Sequence, residues 1–317
     1  MDDLVAALEQ FSAGAFMLLG GGSNLLLDSA RISVPVLWIN HKGIEICDEH
    51  EDHVVVRAMA GENWHEFVSW CVAHDYGGLE NLSLIPGTVG AAPLQNIGAY
   101  GVELKDTVVS VEVMNVHTRE LRQFSRDECR FGYRDSVFKK QQRGQWIIHA
   151  VSFRLSTREH QLRLDYGAIQ EKLAAAGNVH PGIKDVSEAV IAIRRQRLPD
   201  PLQLPNAGSF FKNPLITAHE YEEIVKGYPQ VPAYRQADGQ VKVPAGWLIE
   251  QCGWKGKRHG NVGVHEHHAL VLVNYGGATG KQIVELANEI QQDVELRFGL
   301  SLAFEVNLGS DTVFPEN

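Results

Sequence analysis

SLIPGTVGAAPLQNIGAYG, residues 83–101, is the stretch from which the fold is best inferred. The uncharged window runs from Asn81 to Val102, and its glycines and prolines favour neither a regular helix nor a regular strand. It is also too polar to span a membrane. Glycine permits positive φ and lets a flat or phosphorylated ligand approach backbone N–H groups. The stretch therefore predicts a loop against a buried ligand, rather than an ordinary glycine-rich surface loop. The residues concerned are Gly87, Gly90, Gly98 and Gly101, with amide groups from Gln95 and Asn96.

A second glycine turn, GGGSN at 20–24, follows the apolar run Ala15–Leu19 and precedes LLLD at 25–28. Successive backbone N–H groups in such a turn form an anion-binding nest, so it is a candidate phosphate loop. It is not a dinucleotide fingerprint of the GxGxxG type, because Leu25 stands where the last glycine is required. No Walker A motif occurs either.

Composition places the chain among ordinary globular proteins with two or three domains. It has 317 residues, of which 44% are hydrophobic and 21% charged. The 29 basic and 39 acidic residues give a net charge of −10, which argues against nucleic-acid binding. No secretory signal or membrane span is visible. The four cysteines form no CxxC pair, which favours free thiols in a reducing compartment and a cytoplasmic protein. They are Cys47, Cys71, Cys129 and Cys252.

Hydrophobic periodicity predicts alternating helices and strands along the whole chain. LPDP at 198–201 breaks a helix and is the best candidate for a domain boundary. The predicted helices are 2–11 (with Leu4, Leu8 and Phe11 on one face), 64–72, 185–197, one starting near Ala245, and 281–298. The predicted strands are 34–39, 53–60, 107–116 with a hairpin to Phe124, 146–155, 269–273 and 302–308.

Three single residues could carry chemistry, although each has a commoner explanation. Arg134 in FGYRDS suits a carboxylate, but a lone arginine usually forms a surface ion pair. Ser209 lies in NAGSFFKNP at 206–214, which is not a GxSxG elbow, and a serine in a turn usually bonds locally. Glu305 lies in the apolar C-terminal strand, where a lone glutamate usually faces solvent. Only their joint occurrence with other motifs favours a function.

Six motifs together resemble the UDP-N-acetylenolpyruvoylglucosamine reductase family, the flavin enzymes of bacterial peptidoglycan precursor synthesis. The resemblance covers nearly the whole chain and is closest to the class with a tyrosine loop over the substrate, Tyr166 in LDYG being that tyrosine. The motifs are GGGSNLLL at 20–27, residues 83–101, FGYRDSVFK at 131–139, LPDP at 198–201, NAGSFFKNP at 206–214 and FEV at 304–306.

The resemblance implies an α+β fold. A two-part FAD-binding region of the PCMH or vanillyl-alcohol-oxidase type would precede a separate α+β substrate-binding domain. The implied boundaries are 1–50 and 51–198 for the two FAD-binding subdomains, 199–298 for the substrate domain, and 299–317 for a C-terminal strand and tail that return to the FAD-binding region.

The resemblance also implies the activity and its site. NADPH would reduce FAD, and hydride would then pass to the enolpyruvyl group of UDP-N-acetylglucosamine enolpyruvate, giving UDP-N-acetylmuramate. Arg134 and Glu305 would stabilise the developing enolate and Ser209 would give the proton to carbon. The implied FAD contacts are Gly20, Gly21, Gly22, Ser23, Asn24, Leu25, Pro86, Gly87, Thr88, Gly90, Ala91, Gln95, Asn96, Ile97, Gly98, Ala99 and Gly101. The implied substrate contacts are Tyr166, Arg197, Asn213, Tyr234, Lys255 and His268.

Several positions depart from the family pattern. Arg197 stands where lysine is usual, His268 where glutamine is frequent, and Asn307 where an arginine near the flavin is frequent. Members also usually have a further segment before the first helix, which predicts weaker retention of FAD here. The cluster His265, His267 and His268 does not predict a metal site, because Ala269 stands where HExxH needs its second histidine.

Two other functions stay open from the sequence. One is a flavin-dependent sugar or alcohol oxidase of the same cofactor-binding class, which would not need Arg134, Ser209 and Glu305. The other is a non-catalytic flavin or nucleotide-sugar binding protein. In all cases we expect a monomer with small-molecule ligands, without nucleic acid, membrane or metal.

Overall fold

A computed structural model describes residues 2–10, 15–29, 31–309 and 313–314 and shows a mixed α+β fold. No helix within these ranges is both long and apolar enough to cross a bilayer. Three short 3₁₀ turns, Glu80–Leu82, Val89–Gln95 and Leu104–Asp106, interrupt the loops. The helices are α1 Asp2–Gln10, α2 Trp64–Ala73, α3 Gly167–Ala175, α4 Ile183–Arg197, α5 Ala218–Gly227, α6 Ala245–Gln251 and α7 Gly280–Phe298.

The strands are mostly short, with longer ones concentrated between residues 44 and 156. They are β1 Phe16–Leu19, β2 Leu25–Leu26, β3 Val36–Trp38, β4 Ile44–Glu49, β5 His53–Met59, β6 Gly98–Ala99, β7 Val102–Glu103, β8 Val108–Asn115, β9 Leu121–Ser125, β10 Trp146–Ser156, β11 Asn206–Ser209, β12 Leu215–Ile216, β13 Tyr234–Arg235, β14 Val241–Lys242, β15 Arg258–His259, β16 Val262–Val264, β17 Val271–Asn274, β18 Asn307–Leu308 and β19 Val313–Phe314.

The chain divides into two compact units. The first unit comprises residues 1–22, 33–194 and 313–317, and the second comprises 23–32 and 195–312. The division between Arg194 and Arg195 falls within α4.

The first unit is built on an antiparallel sheet with the strand order β4-β5-β10-β8-β9. Val54, Val56 and Ala58 of β5 alternate inward and are almost fully buried, as the period of a half-buried strand requires. The central strand β10 is buried along nearly its whole length. Phe153 of β10 meets Trp64 and Phe67 of α2, with ring centroids 6.0 Å and 5.0 Å apart. These aromatic contacts fix α2 on the sheet.

Two smaller elements complete the first unit. β1 pairs in parallel with β3 and antiparallel with β19, so residues from both ends of the chain share one sheet. Helices α3 and α4 pack on each other through their own apolar cluster, whose most buried members are Ile169, Val186 and Val190.

The second unit is built on the antiparallel sheet β11-β17-β16-β15 and on helix α7. α7 begins at a capping box, in which Thr279 Oγ1 accepts the Gln282 N–H and the Gln282 side chain accepts the Thr279 N–H. Its buried face holds residues spaced three and four apart, as expected for an amphipathic helix. They are Ile283, Leu286, Ala287, Ile290 and Val294.

Most of the predicted elements are present, with two differences, and one predicted residue cannot be compared. The predicted strand 302–308 is reduced to Asn307–Leu308, because residues before it contact the chain through an isolated Phe211–Phe304 bridge instead of a ladder. The uncharged stretch contains a 3₁₀ segment, Val89–Gln95, which its Gly and Pro content concealed. Phe11, predicted on the face of the first helix, lies outside the described residues.

Candidate functional site

The two glycine stretches identified in the sequence lie against each other in the first unit. A Cβ placed on Gly20 would lie 2.9 Å from Thr88 Oγ1, and one placed on Gly21 would lie 2.9 Å from Gly87 Cα. The contact with the Gly87 backbone is too close for any side chain, so glycine is required at position 21. We refer to Gly20–Gly22 together with Gly87–Thr88 as the glycine cradle.

Backbone donors of the glycine cradle are available for an anion. Among the described residues, the N–H groups of Gly20, Gly21, Gly22, Gly87 and Thr88 donate to no protein acceptor. Gly21 and Gly22 are exposed, and Gly22 has a φ of 67°. Several unengaged N–H groups on neighbouring turns form an anion-binding concavity without any charged side chain. This donor set fits the diphosphate of a dinucleotide such as FAD.

Glycines in the stretch 83–101 have two different roles. Gly87 and Gly101 have φ angles of 115° and 80°, as the sequence led us to expect. Gly90 and Gly98 do not adopt positive φ. They are needed for space, since a Cβ on Gly90 would lie 2.5 Å from Ala60 Cβ and one on Gly98 would lie 3.0 Å from Val102 O.

Asn96 is a fully buried polar residue within the uncharged stretch, with a φ of 42°. Its Nδ2 donates to Glu103 Oε2 and to Gly132 O, both at 3.0 Å, and its Oδ1 accepts Lys105 N–H at 3.0 Å. The side chain predicted to face a cofactor is therefore engaged within the protein. It ties the uncharged stretch to the loop that carries Arg134.

Arg134 lies in the first unit beside the uncharged stretch. Its Nη2 donates to Gly98 O at 2.8 Å, and its backbone φ is 52°. The rings of Tyr100 and Tyr166 meet edge to face with centroids 5.4 Å apart. Tyr166 is itself 44% exposed. The structure thus places the predicted tyrosine on the same uncharged stretch that Arg134 contacts.

Arg194 is a residue of this region that the sequence did not single out. Its Nε donates to Leu84 O at 3.2 Å, and its guanidinium is hydrogen-bonded to Tyr100 and electrostatically coupled to Arg134. Burial lowers the pKa of Arg194, and the interaction with Tyr100 opposes that shift. We refer to Tyr100, Arg134, Tyr166 and Arg194 as the arginine–tyrosine cluster. The missed signal was helical spacing, since Arg194 follows buried Val190 by four residues.

Ser209 and Glu305 are held close together in the second unit. Glu305 N–H donates to Phe210 O at 2.8 Å, and Lys212 N–H donates to Ala303 O at 2.9 Å. Ser209 ends β11 immediately after Gly208, whose φ is 75° and whose N–H is bound by Asn206 Oδ1 at 3.0 Å. The Ser209 hydroxyl has no hydrogen-bond partner among the described residues. This turn places the serine beside the C-terminal segment that carries the glutamate.

Three phenylalanines support this arrangement. Phe210 and Phe211 are each 1% exposed, and both meet Phe304 edge to face, at 5.1 Å and 5.7 Å. The residues flanking Ser209 and Glu305 are therefore fixed by packing, which is what a precisely positioned pair of polar groups requires.

Asn24 and Asn307 connect the predicted cofactor turn to the same C-terminal segment within the second unit. Asn24 Nδ2 donates to Glu305 O at 3.2 Å, and Asn307 donates to Asn24 O from both its backbone N, at 3.1 Å, and its Nδ2, at 3.2 Å. Leu25 pairs with Asn307 in the β2–β18 ladder. The side chain of Asn307 is therefore engaged by the backbone of Asn24.

The predicted substrate residues of the second unit make the following contacts within the described part of the chain. Asn213 Oδ1 accepts Ala245 N–H at 2.9 Å at the start of α6, whereas Lys255 pairs with Glu250 at 2.9 Å near its end. His268 Nδ1 accepts Leu270 N–H at 3.3 Å. Arg197, the last residue of α4, is exposed, and Tyr234 is 51% exposed.

The remaining predicted cofactor residues belong to the same two glycine-containing segments of the sequence. Gln95 Oε1 accepts Lys139 Nζ at 3.5 Å, and Ile97 and Ala99 pack against the main apolar core of the first unit. Pro86 and Ala91 flank Gly87–Thr88 and Gly90, and Ser23 follows Gly22.

The histidine cluster does not form a metal site in the described part of the chain, where no group of three or more potential ligands is found. His265 and His267 meet edge to face at 5.5 Å, and His267 N–H donates to His265 Nδ1 at 3.3 Å. Burial, followed by the neighbouring His267, lowers the pKa of His265.

Two family models match the chain, one at its N-terminal part and one at its C-terminal part. Residues 1–122 match the model described as FAD binding domain. Residues 200–309 match the model described as UDP-N-acetylenolpyruvoylglucosamine reductase, C-terminal domain. The matched regions contain the glycine cradle and the Ser209–Glu305 pair, respectively.

Curated relatives are similar along nearly the whole chain. UDP-N-acetylenolpyruvoylglucosamine reductase of Flavobacterium johnsoniae is 48% identical over 308 residues, covering 97% of this chain and 91% of the relative. The protein of the same name from Pseudomonas putida is 53% identical over 292 residues, covering 92% and 85%. The crystal structure of the reductase from Thermus caldophilus superposes with a TM-score of 0.64 at 24% identity, covering 96% and 89%, and supports the same fold.

Proposed function

The chain belongs to the UDP-N-acetylenolpyruvoylglucosamine reductase family, and on this basis we propose that Arg134, Ser209 and Glu305 carry its chemistry. It is an FAD-dependent oxidoreductase that reduces the enolpyruvyl group of UDP-N-acetylglucosamine enolpyruvate with NADPH, giving UDP-N-acetylmuramate for peptidoglycan. When bound, FAD would supply the hydride-transfer chemistry that links NADPH to the substrate.

The glycine cradle would hold the diphosphate of FAD. Five backbone N–H groups without a protein acceptor support this proposal. They can donate several hydrogen bonds to an anion without a buried cationic side chain, whose desolvation would cost free energy. The close approach of Gly21 to Gly87 keeps these donors on one surface. Gly90 N–H donates to Ala60 O at 2.9 Å and so fixes the segment that follows Thr88.

Arg134 binds the carboxylate of the enolpyruvyl group. Hydride addition to the terminal carbon of the enol ether leaves negative charge on the adjacent carbon, shared with this carboxylate as an enolate. A guanidinium is permanently charged and grips two carboxylate oxygens at once, so it stabilises the enolate more than the ground state. Arg194, coupled electrostatically to Arg134 and bonded to Tyr100, supplies a second positive charge to the same region.

Ser209 Oγ gives the proton to the substrate carbon. Glu305, in its protonated form, donates a hydrogen bond to an enolate oxygen, which neutralises developing charge without a further cation. The observation that carries this assignment is the hydrogen bond of 2.8 Å from Glu305 N to Phe210 O, since it brings two polar residues far apart in the sequence onto adjacent backbone.

The substrate nucleotide is assigned to side chains at exposed or half-buried positions. We propose that Arg197, Asn213, Tyr234, Lys255 and His268 contact the UDP moiety and that Tyr166 covers the sugar. Asn213 would act through its amide N–H groups, because its oxygen is engaged by Ala245. Lys255 would exchange its surface ion pair with Glu250 for a phosphate, which costs little because such pairs are weak.

We further propose that the protein acts as a monomer in the cytoplasm, without nucleic-acid or membrane partners. The four free thiols suit a reducing compartment, and the net charge of −10 disfavours nucleic acid. Sedimentation equilibrium at several protein concentrations tests the monomer, and a concentration-dependent mass would contradict it.

The test separates the two half-reactions in anaerobic stopped-flow measurements. In Ser209→Ala and Glu305→Gln, NADPH should bleach the flavin at the native rate, while reoxidation by the enolpyruvyl sugar should slow by about 10³-fold. Ser29→Ala and Glu223→Gln are matched controls at exposed positions of the second unit and should be unaffected.

Three outcomes would contradict the assignment. Unchanged reoxidation in Ser209→Ala would exclude this serine as proton donor. Unchanged turnover in both variants and in Arg134→Ala would exclude the proposed catalytic set, and reoxidation by oxygen but not by the sugar would point to an oxidase.

A further inference from the structure

A cleft in the first unit lies outside the residues assigned to cofactor or substrate. It has a volume of about 670 Å³, which is within the usual range for small-molecule sites. We name it the basic cleft, and the residues used below to characterise it are Gly78, Glu80, Lys105, Arg130, Phe131 and Arg163. We propose that the basic cleft binds a nucleoside phosphate, with its phosphates on Arg130 and Arg163.

The charges of the basic cleft leave two arginines for a ligand. Lys105 is paired with Glu103, and Arg126 contacts Asp127 at 3.5 Å. By contrast, Arg130 and Arg163 form no ion pair or hydrogen bond through their guanidinium groups among the described residues.

A protein of net charge −10 holds two unpaired guanidinia at one cleft, where an anion would be attracted. Guanidinium is also the group that best matches phosphate geometry. The third carboxylate of the lining, Asp106, is exposed and its Oδ2 accepts the Glu103 N–H at 2.8 Å. It therefore does not neutralise the arginine pair through a direct contact.

Glu80 gives the basic cleft a second recognition element. This residue is only 3% exposed, yet it lines the cleft. Its Oε2 accepts Gly78 N–H at 2.7 Å, which fixes the carboxylate, and no hydrogen bond to its Oε1 occurs within the described ranges. A buried carboxylate with an available oxygen suits a hydroxyl donor, as when an acidic residue binds a ribose hydroxyl. A ligand with both phosphate and hydroxyl groups would satisfy Glu80 and the arginines together.

Phe131 adds an apolar surface to the lining, and it is partly buried. An aromatic ring offers a stacking face for a base. Together, phosphate-binding arginines, a hydroxyl-binding carboxylate and an aromatic face match the three parts of a nucleoside phosphate.

The walls of the basic cleft are held by specific contacts. Arg163 O accepts Asn81 Nδ2 at 2.9 Å, and the same amide donates to Tyr100 O at 3.0 Å. The segment before Arg163 is fixed by His160, whose Nδ1 bonds Ser156 Oγ at 2.7 Å and whose Nε2 lies 3.3 Å from Asp75 Oδ1. The wall is thus an ordered part of the fold, and Asn81 links it to the arginine–tyrosine cluster.

The experiment measures binding of ADP, pyrophosphate and adenosine to the FAD-loaded enzyme by titration calorimetry. NADP⁺ is kept saturating throughout, so that the nicotinamide nucleotide site is filled. We expect ADP to bind the wild-type protein, and Arg130→Ala/Arg163→Ala to weaken this binding by roughly 100-fold, about tenfold for each charge-assisted contact. Arg122→Ala/Arg158→Ala removes two exposed arginines from the same unit and should bind ADP as the wild type does.

A third variant tests the ribose contact. Glu80→Gln should weaken ADP by roughly tenfold while leaving pyrophosphate unchanged, because only ADP carries the hydroxyls. Native flavin reduction by NADPH in every variant verifies that the first unit is folded.

Three results would overturn the proposal. One is absence of ADP binding to the wild-type enzyme, and another is equal weakening in both arginine double variants, which would indicate a non-specific charge effect. The third is equal affinity for ADP and pyrophosphate with no effect of Glu80→Gln, which would indicate a general anion site without nucleoside recognition.

Discussion

The glycine cradle and the arginine–tyrosine cluster belong to the same unit but are built in opposite ways. The glycine cradle uses backbone N–H groups on two turns that contain hardly any side chains. The arginine–tyrosine cluster uses side chains from four separate segments of the sequence, including Arg134 and Arg194. Backbone sites require glycine and are therefore visible in a sequence, whereas side-chain clusters depend on topology.

The largest expected effect is on the glycine cradle. In Gly21→Val, the new side chain would collide with the backbone of Gly87, since a Cβ alone would lie 2.9 Å from its Cα. The two turns would separate, and we expect the variant to purify without FAD, as shown by the loss of its visible absorption.

Gly227→Val is the matched control, because a Cβ on Gly227 has no atom within 4 Å and its φ is not positive. This control should purify yellow. Full retention of FAD by Gly21→Val would show that the close approach of the turns is not needed for the cofactor.

The difference between the two regions explains how far the sequence was informative. The glycine stretches and the segment around Ser209 were recognised because short-range patterns such as GGGSN and NAGSFFKNP are contiguous. Helical spacing from buried Val190 indicates that Arg194 lies on the packed face of α4, but its contact with the uncharged stretch arises from tertiary packing, which no local pattern encodes. The extent of the last strand was also misjudged, since an apolar run does not reveal whether a ladder partner exists.

The second prediction tests whether Arg194 acts with Arg134. Arg194→Ala should reduce kcat/KM for the enolpyruvyl sugar by roughly 100-fold, because a buried charge near the developing enolate is removed. Arg194→Lys keeps the charge but loses the planar fork and should recover only part of the activity. The rate of flavin reduction by NADPH should not change in either variant.

Arg195→Ala is the control in the same helix, because Arg195 is exposed. It should retain native kinetics. An Arg194→Ala variant with native kcat/KM would reduce the arginine–tyrosine cluster to a structural feature, and one equally impaired in flavin reduction would point to a folding defect.

The third prediction concerns Asn96, which joins the uncharged stretch to the loop of Arg134. Asn96→Asp keeps the shape and the bond from Lys105 N but replaces the Nδ2 donor by a carboxylate oxygen facing Glu103 Oε2 and Gly132 O. We expect a loss of about 3 kcal/mol in the free energy of unfolding at pH 7, measured with urea.

Asn115→Asp is the matched control, because only the side-chain oxygen of Asn115 forms hydrogen bonds among the described residues. Asn115 Oδ1 accepts His117 N–H at 2.9 Å and Thr118 N–H at 3.0 Å, and a carboxylate can accept both bonds. Its unfolding free energy should stay within about 0.5 kcal/mol of the native value. Equal effects of the two substitutions would mean that the Nδ2 bonds of Asn96 contribute nothing specific.

The smallest effect is expected for His149, whose backbone is linked through Ala60 to Gly90, two residues after the glycine cradle. Gly90 N–H donates to Ala60 O at 2.9 Å, and Ala60 N–H donates to His149 O at 2.8 Å. Burial, followed by the charges of His41 and Arg57, lowers the pKa of His149 from 6.5 to about 4. As the pH falls, the unfolded chain therefore binds a proton at His149 before the folded protein does. The corresponding contribution to the free energy of unfolding is fully present above pH 6.5 and is lost as the pH falls towards 4.

Between pH 7 and pH 4.5 the wild-type protein should lose roughly 2 kcal/mol more unfolding free energy than His149→Leu, measured with urea at each pH. His50→Leu, at an exposed histidine paired with Asp48, should follow the wild-type curve. If His149→Leu also follows the wild-type curve, unfolding does not change the protonation of the His149 imidazole. If only His149→Leu departs from the wild-type curve, and the wild type releases FAD earlier on acidification, then retention of FAD depends on keeping this buried imidazole neutral.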